Sequence, residues 1–176
     1  VKIQVEFNPA AVKAYRLIGY ENRVLENRDF NDDRKDAGDM GAGHSVTALY
    51  EIIPAGSPEM AASVDPLVYQ QSQIIPSDEL MFVKIRYKKP LEDVSTLMTT
   101  RVANKDVVYS TPSENLRFAS AVAEYGMLLR KSEFQGQSSY QQTLSLARGA
   151  RGTDENGYRA EFIKLVELSQ LLDAKE

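Results

Sequence analysis

The sequence predicts an α+β protein: a mainly antiparallel, sandwich-like β-sheet in the first part of the chain, followed by about three packed α-helices. Three observations lead there. Short stretches with period-two alternation fill residues 1–110, and longer stretches with helical caps fill residues 111–176. The connection at Pro9 is short enough for a hairpin. Strands first and helices last is the order of an α+β fold. The expected organisation is a single α+β domain over 1–176, with a β-rich part (1–110) and a helical part (111–176).

Val1–Asn8 alternates apolar and polar residues without a miss, so Val1, Ile3, Val5 and Phe7 should share one buried face. Lys13–Arg23 reads as a second strand with apolar residues on both faces, joined to the first in an antiparallel hairpin. Residues 24–43 carry Asp29, Asn31, Asp32, Asp33, Asp36 and Asp39 together with Gly38, Gly41 and Gly43, and read as a long loop. Strand character resumes over Ser45–Ile53. Residues 54–78, rich in Pro, Ser, Ala and Gln, read as a second irregular connection. Leu80–Lys88 should then place Met81, Val83, Ile85 and Tyr87 inward and Lys84 and Arg86 outward. Ser95–Val102 and Asp106–Ser110 are weaker strand candidates around an Asn104-Lys105 turn.

The longest helix signal runs from Thr111 to Arg130. Thr111 is the expected cap, Pro112 suits the first helical position, and Glu114 completes a capping box. Apolar residues on two faces, Leu116, Ala119, Ala123 and Met127 against Phe118, Val122, Tyr125 and Leu129, predict burial on more than one side. Gly126 is read as a point of close approach to a neighbouring element, because glycine inside a helix costs about 1 kcal/mol relative to alanine. Ser139 caps a short helix reaching about Ala147. Asp154 caps a last helix from about Gly157 to Leu172, with Tyr158, Phe162, Leu165, Val166 and Leu172 as its apolar stripe.

The 176 residues, 43% hydrophobic and 26% charged, have a globular composition. A net charge of −4 and a pI near 5.2 give no support to nucleic-acid binding. No apolar run reaches the roughly 18 residues of a membrane span. The start at Val1, without a Met, is expected for a piece of a longer chain. With no cysteine there are no disulfides, thiolate nucleophiles or Cys-ligated metals, and no cofactor is expected.

Asp29, Asn31 and Asp33 match the first three ligand positions of a calcium-binding loop of the helix–loop–helix type. Arg34 then stands where the sharp turn needs glycine, and Met40 where the cage needs a bidentate Glu. A solvated turn whose Asp and Asn side chains cap their own backbone is the better reading. Gly41-Ala-Gly43 precedes a strand where a phosphate loop would follow one. His44, the single histidine, has no Gly-x-Ser-x-Gly partner motif and reads as structural. Glu114, Glu124, Glu161 and Glu167 are scattered over helix surfaces; nothing in the sequence points to a carboxylate pair among them, and a hydrolase using such scattered carboxylates is the least favoured reading. The chain is therefore expected not to be an enzyme.

The segments VKIQVEFNPAAVKAYRLIGYENR, DFNDDRKDAGDMGAGHSVTALYEI, MFVKIRYK, NLRFASAVAEYGMLLRKSEF and GYRAEFIKLVELSQ occur in this order. Together they resemble the C-terminal region, of unknown function, of bacterial von Willebrand factor type A-domain proteins. The resemblance is weakest across residues 54–78 and 90–110. It implies an accessory or interaction module adjoining a type A domain. The Asp-x-Ser-x-Ser motif of the type A metal site is absent from these residues. The implied partners are the adjacent type A domain or another envelope protein, and the implied location is extracytoplasmic, periplasmic or at the cell surface, with a lipid anchor on a preceding segment as one route. An independent ligand- or calcium-binding module using the acidic loop 29–39 is the alternative.

Overall fold

Strand β1 (Lys2–Phe7) does not form a hairpin with β2 (Val12–Ile18). It pairs antiparallel with β4 (Glu79–Tyr87), which pairs in turn with β5 (Thr96–Ala103), giving the order β1-β4-β5. Strand β2 pairs antiparallel with β3 (Leu49–Pro54) in a separate two-stranded sheet. The computed structural model describes residues 1–20, 23–59, 74–105 and 112–173. Within these, the antiparallel β-rich part precedes three helices, so the fold is α+β. The chain divides into Val1–Val107 and Val108–Glu176.

The expected hairpin fails because Asn8 redirects the chain. Its peptide N–H donates to Leu80 O and its side-chain amide to Glu79 O (2.7 Å), fastening the end of β1 to β4. Its carbonyl accepts from Ala11 N and Val12 N, closing a turn that feeds β2 into the second sheet. Phe7 is the contact between the sheets, with ring centroids 4.5 Å from Tyr15 and 5.5 Å from Tyr50.

Strand boundaries shift where the backbone leaves the extended region. Positive φ at Gly19 (75°) and Tyr20 (61°) ends β2 earlier than the expected Arg23, and residues 45–48 are exposed before β3 begins. The Asp106–Ser110 strand candidate and the Thr111 cap lie outside the described residues.

The helical unit comprises α1 (Glu114–Leu129), α2 (Tyr140–Gly149) and α3 (Tyr158–Asp173). Ser113 caps α1, its hydroxyl accepting from Leu116 N at 3.2 Å, so Pro112 precedes the cap. Ser139 caps α2 through Gln142 N, and both Asp154 carboxylate oxygens accept from the first turn of α3, at Arg159 N and Ala160 N. The core gathers Ala121, Tyr125, Leu144, Ala147, Ile163 and Val166, with Phe118 and Phe162 against it. The phenol of Tyr125 is satisfied by Ser169 Oγ at 2.7 Å.

Burial of α1 reaches more than one side, as Tyr125 and Met127, two positions apart and on opposite sides of the helix, are both buried, but Leu116, Val122 and Leu129 of the two expected faces remain exposed. A Cβ on Gly126 would meet nothing within 4 Å, so this glycine is no close-approach point. In α3 the buried line is Ile163 and Val166; Tyr158, Leu165 and Leu172 of the expected stripe are exposed.

Candidate functional site

Residues opposite one another in an antiparallel pair share a face, so the register of β1-β4-β5 sorts the sheet into two chemically different surfaces. One carries the rows Ile3·Ile85·Met98, Val5·Val83·Thr100 and Phe7·Met81·Val102. The other carries Lys2·Arg86·Leu97, Gln4·Lys84·Thr99 and Glu6·Phe82·Arg101. The first is apolar and the second is polar and rich in cations.

It is the polar face that the acidic loop covers. A 3-10 turn over Asn27–Asn31 buries Phe30, and the Arg86 guanidinium sits 5.8 Å from its ring centroid. Arg86 Nε donates to Asn31 Oδ1 (3.1 Å) and its Nη1 to Ser95 Oγ (3.0 Å). Lys2 is buried and donates its ammonium to two carbonyls, Asp29 O at 2.9 Å and Asp32 O at 2.6 Å. Lys88 Nζ reaches Asp33 O at 2.5 Å, and Ser95 N donates to Asp33 Oδ2 at 3.0 Å. The alternation in β1 thus misled at Lys2 and Ile3: the lysine is buried, whereas Ile3 is 45% exposed.

The three candidate calcium ligands are therefore used separately. Asp29 contributes its carbonyl to Lys2, Asn31 its side-chain oxygen to Arg86, and Asp33 its carboxylate to Ser95. Among the described residues, no group of three or more His, Cys, Asp or Glu side chains is placed to hold a metal ion. The Arg34 guanidinium bonds both carboxylate oxygens of Asp32, at 3.0 and 3.1 Å, and lowers its pKa from 3.8 to about 2. Hydrogen bonding from the Ser95 side chain and peptide N–H, reinforced by Lys88 and Arg86, lowers Asp33 as well. His44 lies exposed in a turn, its N–H on Gly41 O and its ring over Gly41.

The loop, the start of β1 and the end of β4 enclose a cleft of about 260 Å³, lined among others by Lys2, Asp33, Arg86, Lys88 and Ser95. The sequence offers no motif for it. Its parts lie at positions 1–2, 33–39, 86–88 and 95, and only strand register and loop docking bring them together.

Among the described residues the apolar face has little cover. In the β-rich unit only Phe7, Val12 and Phe30 are buried apolar residues among those described; Ile3 is 45% and Met98 53% exposed, and Val5, Val83 and Ile85 are half-buried. No helix among the described residues is long and apolar enough to cross a membrane.

The chain is 45% identical over 173 residues to "Uncharacterized protein YfbK" of Escherichia coli (strain K12); the match takes in 96% of this chain but only 29% of that protein. No solved structure matches it. The family model described as "Uncharacterized protein YfbK, C-terminal" matches residues 1–172, and the chain belongs to that family.

Proposed function

We propose that this chain is a non-catalytic accessory module of a longer bacterial envelope protein, in the periplasm or at the cell surface, and that it packs on an adjoining von Willebrand factor type A domain through the apolar face of sheet β1-β4-β5. The observation that carries the proposal is the lack of cover on that face. A sheet is stable when its apolar face is buried against another layer. In a unit of this length, three buried apolar residues among those described leave Ile3, Ile85 and Met98 in want of a partner. A contiguous, exposed apolar surface rimmed by polar residues is typical of an interaction site. The resemblance to the region that follows type A domains supplies the partner, and the span of only 29% of the YfbK relative leaves ample room for one. The single histidine is exposed in a turn, which favours a non-catalytic reading.

The test is a methyl-NMR titration of the labelled 176-residue chain with the purified type A domain of its parent protein. Shifts confined to Ile3, Val5, Val83, Ile85 and Met98, and abolished in Met98→Lys, are expected. Binding that leaves these methyls unperturbed, or no binding at all, contradicts the proposal.

A further inference from the structure

The polar face of the sheet ends in the cleft described above, and its charge is opposite to what an acidic loop suggests. Lys2, Arg86 and Lys88 are three of the cations that line it. Among the described residues the hydrogen bonds of the buried Lys2 ammonium go to two carbonyl oxygens, with the Asp32 carboxylate, itself held by Arg34, as an electrostatic neighbour, and one of its three donors is left. Arg86 spends one N–H on Asn31 and one on Ser95 out of five, and Lys88 spends one of three on Asp33 O. Against these stand the carboxylates of Asp33, Asp36 and Asp39, and one oxygen of Asp33 is already occupied by Ser95 N. Lys35 lines the cleft as well, and Arg34 is committed to Asp32. With Arg34 paired, four cationic side chains face three carboxylates, so the lining has an excess of one positive charge and several unspent N–H donors, which is costly where one of the cations is out of water.

We infer that this cleft binds a small oxyanion, a phosphate or carboxylate ion of low molecular weight, held by Lys2, Arg86 and Lys88. A planar guanidinium flanked by two ammonium groups suits an anion with several oxygens. At about 260 Å³ the cleft lies just below the range of pockets for drug-sized ligands, and it accommodates one such ion with attendant water. A metal cation is disfavoured at the same place, since the Lys2 ammonium already occupies the carbonyls of Asp29 and Asp32.

Amide NMR of the 176-residue chain, titrated separately with inorganic phosphate and with acetate at constant ionic strength, tests this. Saturable shifts centred on Tyr87, Lys88 and Ser95 are expected with phosphate; their presence or absence with acetate tells a general oxyanion site from one that prefers phosphate. Lys88→Gln should weaken binding by about tenfold or more, as should Arg86→Gln if it folds, while Lys164→Gln on α3 leaves it unchanged. Lys88 is on the surface, so its variant decides the matter even if Arg86→Gln unfolds. Linear, non-saturable shifts with both anions, or binding indifferent to Lys88→Gln, overturns the inference.

Discussion

Lys2 and Arg86 stand opposite one another in the β1–β4 register, on the same face, and between them they hold the acidic loop: Lys2 by the carbonyls of Asp29 and Asp32, Arg86 by the side chain of Asn31. The loop's negative character is met by the sheet's cations.

Lys2→Met keeps the aliphatic stem and removes both charge-assisted bonds. Hydrogen bonds to a charged group contribute about 1.5–3 kcal/mol each in favourable cases, and loss of the buried charge offsets part of this, so a net destabilisation of about 2 kcal/mol is expected. Urea denaturation measures it. Amide exchange over residues 29–35 should accelerate more than exchange in α1–α3.

Acid should release the same loop. The folded-state pKa of Asp32 is depressed from 3.8 to about 2, so its contribution to stability is present above pH 3.8 and is lost as the pH falls towards 2. A carboxyl-carbon NMR titration should show Asp32 ionised well below the ordinary aspartate midpoint. Arg34→Gln should return that midpoint towards 3.8.

Glu124 carries the opposite sign. Burial raises its pKa, with a smaller opposing effect from the Thr143 hydroxyl, which donates to Oε2 at 3.2 Å. Its stabilising contribution is therefore full below about pH 4.5 and declines as the pH rises through the folded-state value. Glu124→Gln should be more stable than the parent at neutral pH and no more stable in acid. Thermal melts at both pH values decide it.

Gly126→Ala should stabilise the helical unit by up to about 1 kcal/mol, since the added methyl meets open space and glycine is a poor helix residue. Phe7→Ala should cost the β-rich unit about 3 kcal/mol, because Phe7 is its main buried aromatic contact between sheets. Chemical denaturation of the two variants separates the effects.

Much of the architecture is legible in the sequence. Alternation finds β1 and β4, and the Ser139 and Asp154 side chains mark the starts of α2 and α3 because capping is a local interaction. Pairing is not local: nothing within Val1–Asn8 says that β1 takes β4, some 80 residues away, over β2. Periodicity also treats every lysine as exposed. Lys2 is buried only because residues 27–32 of the loop bring carbonyls to it. Gly126 misled because an interior helix glycine signals either close packing or nothing, and the sequence does not distinguish them. The cleft, assembled from four separate stretches, leaves no contiguous trace.

The apolar face of β1-β4-β5 is expected to be covered in the parent protein. Met98, 53% exposed and in line with Ile3 and Ile85, is its natural reporter. Hydroxyl-radical footprinting read by mass spectrometry compares oxidation of Met98 in the isolated 176-residue chain and in the full-length protein, with the exposed Met40 as internal control. Strong protection of Met98 in the full-length protein, with Met40 unchanged, is the result predicted. Equal oxidation of Met98 in both would contradict the account.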